Sequence, residues 1–272
     1  MPENILDKIL KAKRKEVAQL RRQCDPATWR GLAQAADRPR NFFSAVTKRP
    51  RWLLNLIAEV KRASPSAGVI CEDFDPAAIA RRYAAAGADA ISVLTDEKYF
   101  QGKLEHIRQV RDAVDLPVLR KDFIIDPVQV YESRAAGADA ILLISAALPV
   151  GQLSDMMILA ADLKMTAIVE VHGADEVLQV RSMIGFPRGG YSLLGINNRD
   201  LATFEVDINT TVRLAGMAGE SVPIVSESGI STRGDVEKLR AAGVKAVLIG
   251  ETLMRAADVS AEVERMLGSV GT

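Results

Sequence analysis

The feature that most constrains the fold is a seven-residue segment that the chain repeats. Residues 85–91 have the sequence AAGADAI, and the same seven residues recur at positions 135–141. A related segment occupies residues 241–247, and residues 189–195 again place glycine before an apolar run. Each copy is typical of a helix end, a glycine C-cap and the start of a strand. The interval between the first two copies is too long for one strand–helix unit and fits two, so four copies predict eight strands.

The remaining strands are expected between these copies. The repeated segments introduce strands 2, 4, 6 and 8, and apolar runs beginning at Leu54, Val118, Thr166 and Val222 supply strands 1, 3, 5 and 7. Asp75-Pro76 and Asp126-Pro127 each place an N-capping residue before a proline, which predicts helix starts. Strands alternating with helices favour a parallel sheet. We therefore expect an α/β fold, a (β/α)8 TIM barrel over residues 51–272 that forms the catalytic part of a single domain.

Residues 1–50 do not fit this pattern, and we expect them to form an N-terminal helical extension. An apolar stripe at helical spacing runs among basic residues. The stripe contains Ile5, Leu6, Ile9, Leu10, Val17 and Leu20, and the basic residues are Lys8, Lys11, Lys13, Arg14, Lys15, Arg21 and Arg22. One interpretation is a helix packed on the barrel wall with a solvated basic face. The other is a cap over the barrel mouth, with residues 39–50 leading to strand 1.

Composition excludes several classes of function. Lys+Arg and Asp+Glu both total 35, so the chain has no overall field to attract nucleic acid or an anionic membrane. Neither a membrane-spanning stretch nor a signal-like segment behind Met1 is present, so we expect a cytoplasmic protein, and a monomer. Cys24 and Cys71 lack a CxxC spacing, and only His106 and His172 add imidazoles. We expect no disulfide, metal or other cofactor.

Side chains suited to acid–base chemistry follow the apolar runs. Glu59 and Lys61 end strand 1, and because they are two residues apart they share one face of the strand. Lys121 ends strand 3 and Glu170 ends strand 5. In a closed parallel barrel these strand ends meet at one rim, where the active sites of this fold lie. A single buried ion pair can serve packing alone, but two amines and two carboxylates at one rim indicate catalysis.

Strands 7 and 8 end in glycine-containing turns that predict a phosphate site. Strand 7 runs into SESGI at residues 226–230, and strand 8 runs into GETLM at residues 250–254. Glycine lets backbone N–H groups approach an anion, and barrels of this fold frequently bind phosphate after strands 7 and 8. The substrate-binding residues expected at these turns are Glu227, Gly229, Gly250 and Glu251.

Six motifs, in chain order, closely resemble those of the indole-3-glycerol phosphate synthase family. They are IAEVKRASPS (57–66), LRKDF (119–123), IVEVH (168–172), GINNRDL (195–201), SESGI (226–230) and IGETLM (249–254). The loop TDEKYFQG (95–102) is also similar to a loop of that family. The resemblance implies a decarboxylating carbon–carbon lyase of tryptophan biosynthesis that needs no cofactor. It converts 1-(2-carboxyphenylamino)-1-deoxyribulose 5-phosphate to indole-3-glycerol phosphate with loss of carbon dioxide and water.

The resemblance also implies catalytic roles. Lys121 would be the general acid that protonates the substrate ketone, and Glu170 the general base of the dehydration. Lys61 would hold substrate anions or donate a proton in the dehydration, so the division of roles between the two lysines stays open. Glu59 and Asn197 would orient these groups, and the family pattern adds Ser228 to the catalytic set.

Further residues would bind the substrate. Arg199 offers a planar fork suited to the carboxylate of the anthranilate group, and Ser64 would donate a hydrogen bond nearby. Phe100 and Phe123 would pack on the aromatic ring. For these two aromatic residues ordinary core packing is the alternative.

Three other functions compete with this one. A Schiff-base aldolase would use Lys61 or Lys121 as a nucleophile on a sugar-phosphate carbonyl. Phosphoribosylanthranilate isomerase, a sister barrel, is expected to place a reactive cysteine at the end of strand 1, where this chain has Glu59-Val60-Lys61. A barrel retained only as a structural subunit would be expected to lack one of the acids or lysines at the rim.

Overall fold

The computed structural model describes residues 5–200, 203–219 and 221–268, and in them eight parallel strands close into one barrel. The strands are β1 (Asn55–Val60), β2 (Ala90–Leu94), β3 (Val118–Lys121), β4 (Ala140–Ile144), β5 (Thr166–Val171), β6 (Ser192–Asn197), β7 (Ile224–Glu227) and β8 (Ala246–Ile249). Each strand pairs with its neighbours in sequence, and β1 closes the barrel against β8. The predicted (β/α)8 fold is confirmed. Residues 1–4 of the predicted extension, Leu201 of the fourth motif and residues 269–272 lie outside the described residues.

Helices connect the strands and also precede them. They are α1 (Ile5–Gln23), α2 (Pro26–Ala35), α3 (Phe42–Thr47), α4 (Pro76–Ala85), α5 (Glu97–Phe100), α6 (Glu105–Ala113), α7 (Pro127–Ala135), α8 (Val150–Asp162), α9 (Ala174–Arg181), α10 (Asn209–Ala218), α11 (Arg233–Ala241), α12 (Glu251–Arg255) and α13 (Val259–Leu267). Two short strands, Ala63–Ser64 and Gly68–Val69, form a hairpin after β1. No helix in the described ranges is long and apolar enough to cross a membrane.

The local signals in the sequence mark the helix ends as predicted. Asp75 caps α4 by accepting a hydrogen bond from the backbone N–H of Ala78, and Asp126 caps α7 in the same way through Val128. Gly137, in the second repeat, has a φ of 96°. This left-handed backbone costs glycine little because glycine has no Cβ.

The aspartate inside the repeat ties neighbouring strands together. Asp89 Oδ2 accepts a hydrogen bond from the N–H of Leu56 in β1 at 3.0 Å. Asp139 Oδ2 does the same for Val118, the first residue of β3, at 2.8 Å. Both aspartates are buried, so each carboxylate satisfies a strand-end N–H that water cannot reach.

The core has two layers, one inside the barrel and one between the strands and the outer helices. Helix α3 belongs to the inner layer, because Phe42 and Val46 are both fully buried against barrel residues such as Leu119. Asn55 of β1 fixes this helix by donating to the carbonyl oxygen of Val46 at 3.0 Å. The segment expected only to connect the extension to β1 therefore forms the floor of the barrel.

We predict that Phe42→Ala lowers the free energy of unfolding by about 3–5 kcal/mol, because the truncation leaves a cavity under the barrel. Denaturant unfolding measures the change. Leu32→Ala is the control, since Leu32 on α2 is 49% exposed and should cost below about 1 kcal/mol. A Phe42→Ala cost as small as that of the control would contradict the assignment of α3 as a structural floor.

Candidate active site

A cavity of about 400 Å³ opens at the C-terminal rim of the barrel. Every site residue expected from the sequence lines it: Glu59, Lys61, Ser64, Phe100, Lys121, Phe123, Glu170, Asn197, Arg199, Glu227, Ser228, Gly229, Gly250 and Glu251. These residues come from five strands, β1, β3, β5, β6 and β7, and from the segments that follow β1, β2, β3, β6, β7 and β8. Barrel closure thus brings together side chains that are far apart in sequence.

Glu59 and Lys61 form an ion pair on one wall of the cavity. Lys61 Nζ lies 2.6 Å from Glu59 Oε2, which agrees with the prediction that the two side chains share a face of β1. Gly250 leaves room for this pair: a Cβ there would overlap the Glu59 carboxylate and lie 3.1 Å from Lys61 Nζ. Glycine at this turn is therefore required by the close approach of two side chains, in addition to any role in anion binding.

Lys121 lies between two buried carboxylates. Its Nζ is 3.3 Å from Glu170 Oε2 and 3.3 Å from Glu227 Oε2. Burial by itself would lower the pKa of Lys121, but the negative charges of Glu170, Glu227 and Glu59 outweigh burial and raise the pKa above its usual range. The amine therefore carries a proton at neutral pH and is suited to act as an acid.

Glu170 is held in its ionised form by cations on both sides. Its carboxylate is 2% exposed, and burial favours the neutral acid, but the charges of Lys121 and His172 bring the pKa well below its usual range. A hydrogen bond from the Asn197 side chain acts in the same direction. An ionised carboxylate at this position can accept a proton.

His172 contacts Glu170 from outside the cavity lining, and the sequence alone does not assign it this position. Its Nε2 lies 3.3 Å from Glu170 Oε1, and its Nδ1 lies 3.7 Å from Glu176 Oε2. Burial opposes the charged ring, but the two glutamates raise the pKa of His172 to about 10. The available signal is its position two residues after Glu170 on a strand, which places both side chains on one face.

Glu227 differs from Glu170 although both are buried carboxyl groups next to Lys121. Burial and the negative charge of Glu170 raise the pKa of Glu227 to about 8, although Lys121 opposes the shift. Ionisation of Glu227 is therefore less favourable than ionisation of Glu170. Gly195 of β6 makes space for it, since a Cβ there would lie 2.5 Å from Glu227 Oε1.

The turns after β7 and β8 also line the cavity. Ser228 and Gly229 have φ angles of 67° and 76°, so the chain turns through two left-handed residues directly after β7. Glu251, the first residue of α12, pairs through its carboxylate with Arg255 at 3.0 Å. Its carboxylate is thus engaged by a residue of the same helix.

The expected ring-binding residues follow β2, β3 and β6 and also line the cavity. Phe100 and Phe123 are half-buried rather than enclosed in the core, and their ring centroids are 6.2 Å apart. Arg199 is anchored by a hydrogen bond from Nη1 to the carbonyl oxygen of Phe204 at 3.1 Å. Both phenylalanines and Arg199 therefore present surface to the cavity, which favours a binding role over simple core packing.

Helix α1 lies at the mouth, where Ile5, Leu6 and Ile9 contribute to the cavity lining. This placement favours the cap interpretation over a helix on the barrel wall. The expectation that Lys13 belongs to a solvated basic face is wrong. Lys13 is only 3% exposed, because it forms ion pairs with Asp96 and Asp122.

The chain is similar to known enzymes over nearly its whole length. The sequence profile of the indole-3-glycerol phosphate synthase family matches residues 6–266. The indole-3-glycerol phosphate synthase of Desulfotalea psychrophila is 48% identical over 265 residues, which are 96% of this chain and 99% of that protein. The synthase of Neisseria gonorrhoeae is 49% identical over 266 residues, with 97% of this chain and 99% of that protein covered. The chain belongs to the indole-3-glycerol phosphate synthase family.

Membership of the indole-3-glycerol phosphate synthase family confirms the resemblance of the six motifs. Solved structures of other enzymes share only the fold. The 3-hexulose-6-phosphate synthase of Salmonella typhimurium aligns with a TM-score of 0.61 at 14% identity, over 78% of this chain and 96% of that chain. The thiamine phosphate pyrophosphorylase of Pyrococcus furiosus aligns with a TM-score of 0.55 at 16% identity, over 79% and 95% of the two chains.

The raised pKa of His172 predicts a pH-dependent contribution to stability. The folded protein holds this proton more tightly than the unfolded chain, whose histidine has a pKa near 6.5. The contribution, on the order of 5 kcal/mol, is complete below pH 6.5 and is lost as the pH rises through about 10. The difference in unfolding free energy between wild type and His172→Gln should therefore shrink between pH 6.5 and 10.

His106→Gln provides the comparison, because burial lowers the pKa of His106. Its difference from wild type should not decline in the same way at alkaline pH. A difference for His172→Gln that stays constant from pH 6 to 10 would mean that His172 is neutral in the fold.

Proposed function

We propose that the chain is an indole-3-glycerol phosphate synthase in which Lys121 and Glu170 carry the acid–base chemistry. The observation that supports these roles most strongly is the placement of a protonated amine 3.3 Å from an ionised carboxylate at the base of the rim cavity. The substrate of this family, 1-(2-carboxyphenylamino)-1-deoxyribulose 5-phosphate, carries a phosphate at one end, a benzoate at the other and a ketone between them.

The charges in the cavity match an anionic substrate. Lys61, Lys121, His172 and Arg199 supply positive charge on and behind its walls. The acidic residues of the lining are Glu59, Asp122, Glu170, Glu227 and Glu251. The basic side chains suit a ligand with a phosphate and a carboxylate, because each anion needs a cation beside it when it is desolvated on entry.

The first step forms the carbon–carbon bond. The ring carbon that bears the carboxylate attacks the ketone carbon, and Lys121 donates its proton to the ketone oxygen as that oxygen becomes a hydroxyl. Loss of carbon dioxide returns the bonding pair to the ring and restores its aromaticity. Lys121 is left neutral between two carboxyl groups, which favours its recovery of a proton.

The second step removes water. The new hydroxyl leaves as water after an acid donates a proton to it, and the ring nitrogen supplies the electron pair as an iminium forms. Glu170 then takes the proton from the neighbouring carbon, which completes the indole. Lys61 is the second amine at the rim and would donate to the leaving hydroxyl or hold a substrate anion.

The two ends of the cavity bind the two ends of the substrate. Arg199 would pair with the carboxylate, and Phe100 and Phe123 would pack on the ring, with Ser64 as a nearby hydrogen-bond donor. The phosphate would bind the turns at Ser228 to Gly229 and Gly250 to Glu251. Glu59 and Asn197 would orient Lys61 and Glu170, with which they share hydrogen bonds.

The Schiff-base alternative is weaker for a physical reason. A nucleophilic lysine must be neutral, whereas carboxylates around Lys121 raise its pKa. Borohydride added with substrate would trap an imine and label an aldolase, but it would leave an acid–base synthase unlabelled.

We further infer a cytoplasmic monomer that does not bind nucleic acid. The balance of 35 basic and 35 acidic residues supports the absence of nucleic-acid binding.

We predict that Lys121→Met lowers kcat by about 10²–10⁴-fold, because the variant removes the positioned proton donor. Steady-state formation of indole-3-glycerol phosphate, followed by its fluorescence, measures the loss. Circular dichroism checks that the variant is folded. Lys238→Met on the exposed face of α11 is the matched control. A Lys121→Met kcat within threefold of the control would remove Lys121 from the mechanism.

We predict that Glu170→Gln lowers kcat by about 10²-fold or more and changes KM much less, because the amide keeps the shape of the side chain but accepts no proton. The same assay measures both parameters, with Glu264→Gln at an exposed position of α13 as control. A raised KM with kcat intact would reassign Glu170 to substrate binding.

A further inference from the structure

Lys13 of α1 is a buried lysine that the proposed chemistry does not use. Its Nζ lies 2.9 Å from Asp96 Oδ2 and 2.9 Å from Asp122 Oδ1, and it also pairs with Glu16 at 2.7 Å. The side chains of Asp96 and Asp122 are 1% and 2% exposed. An apolar residue would suit a helix packed on a barrel, so a buried charge at this position needs a specific reason.

Both carboxylates belong to segments that carry ring-binding residues. Asp96 caps α5 by accepting a hydrogen bond from the N–H of Tyr99 at 2.7 Å, and Phe100 is the last residue of that helix. Asp122 lies between Lys121 and Phe123, and its Oδ1 accepts the N–H of Phe123 at 2.8 Å. Lys13 therefore bridges the two segments that place the aromatic rings.

Asp122 is also fixed from the barrel side. Its Oδ2 accepts hydrogen bonds from Thr95 Oγ1 at 2.6 Å and from Arg120 Nη2 at 3.0 Å. The remaining oxygen faces Lys13 and the backbone N–H of Phe123. Arg120 and Lys13 together bring the pKa of Asp122 well below its usual range, although burial opposes this shift. Removal of Lys13 would leave Asp96 and Asp122 with less positive charge between them.

The same face of α1 continues into the cavity. Leu6, Ile9 and Lys13 follow a helical spacing of three and four residues, so they share one side of the helix. Leu6 and Ile9 line the cavity. A second contact joins α1 to α5, because the hydroxyl of Tyr99 donates to the carbonyl oxygen of Lys8 at 3.2 Å. The Lys13 ion pairs thus set how α1 lies over the mouth.

We propose that Lys13 is a positioning residue for the ring-binding end of the cavity. By bridging Asp96 and Asp122, it fixes α1, Phe100 and Phe123 relative to one another and so sets the affinity for the carboxyphenyl group of the substrate. This inference rests on the proposed function for the identity of the ring. The phosphate end, at the turns after β7 and β8, does not depend on the bridge.

The test compares Lys13→Met with Lys13→Arg and with Lys15→Met, an exposed control on the same helix. Anthranilate serves as a probe of the ring end, and inorganic phosphate serves as a probe of the other end, each titrated into the whole protein. For Lys13→Met we expect the anthranilate Kd and the substrate KM to rise by about tenfold, with the phosphate Kd within about twofold of wild type. Lys13→Arg should recover most of the loss, because arginine also bridges two carboxylates.

A second variant separates positioning from stability. Lys13→Met/Asp96→Asn removes a carboxylate that the single variant leaves poorly compensated, so it should regain thermal stability while the anthranilate Kd stays raised. If Lys13→Met does not fold, the double variant and Lys13→Arg decide the question by the same two titrations.

Three results would overturn the proposal. The first is an unchanged anthranilate Kd in the folded variants that lack Lys13. The second is an equal loss of affinity for anthranilate and for phosphate. The third is a double variant that recovers its full anthranilate affinity together with its stability. If wild type and Lys15→Met both lack synthase turnover, the proposed function is wrong. The anthranilate and phosphate titrations would still test whether Lys13 positions the ring-binding end.

Discussion

The mutual compensation of buried charges at the barrel rim is the constraint on which the active site depends. Lys121 keeps its proton in a largely buried position only because Glu170 and Glu227 lie 3.3 Å away. Lys121 thus lies beside two carboxyl groups whose pKa values are shifted in opposite directions. The pKa of Glu170 lies below its usual range, and the pKa of Glu227 is raised to about 8. His172, on the far side of Glu170, produces much of this difference. Two side chains of the same type therefore differ in how readily each takes up a proton.

The features that were predictable from sequence are those set by local backbone chemistry. The Asp-Pro pairs and the repeated glycines mark helix ends because capping and left-handed turns act over a few residues. The polar groups at strand ends were predictable as one site because parallel closure brings those ends together. The repeated aspartates were visible as a pattern, but their bonds to the N–H groups of Leu56 and Val118 depend on strand pairing.

The features that were not predictable depend on packing between distant segments. Lys13 lies in a stretch of exposed lysines and arginines, and only the positions of Asp96 and Asp122 make it a buried residue. The position of α3 under the barrel was equally unpredictable, because the sequence of this six-residue helix does not indicate what it packs against. The two lysines of the site also become distinguishable only in three dimensions. Lys61 contacts Glu59, whereas Lys121 contacts two carboxyl groups from other strands.

The floor formed by α3 closes the end of the barrel away from the rim. Phe42 and Val46 are fully buried at this end of the barrel, so no molecule that reacts at the rim can leave through it. Substrate must arrive, and carbon dioxide, water and the bulky indole product must depart, on the side where α1 lies. Reactants and products therefore share one route, which passes beside Ile5, Leu6 and Ile9 of α1.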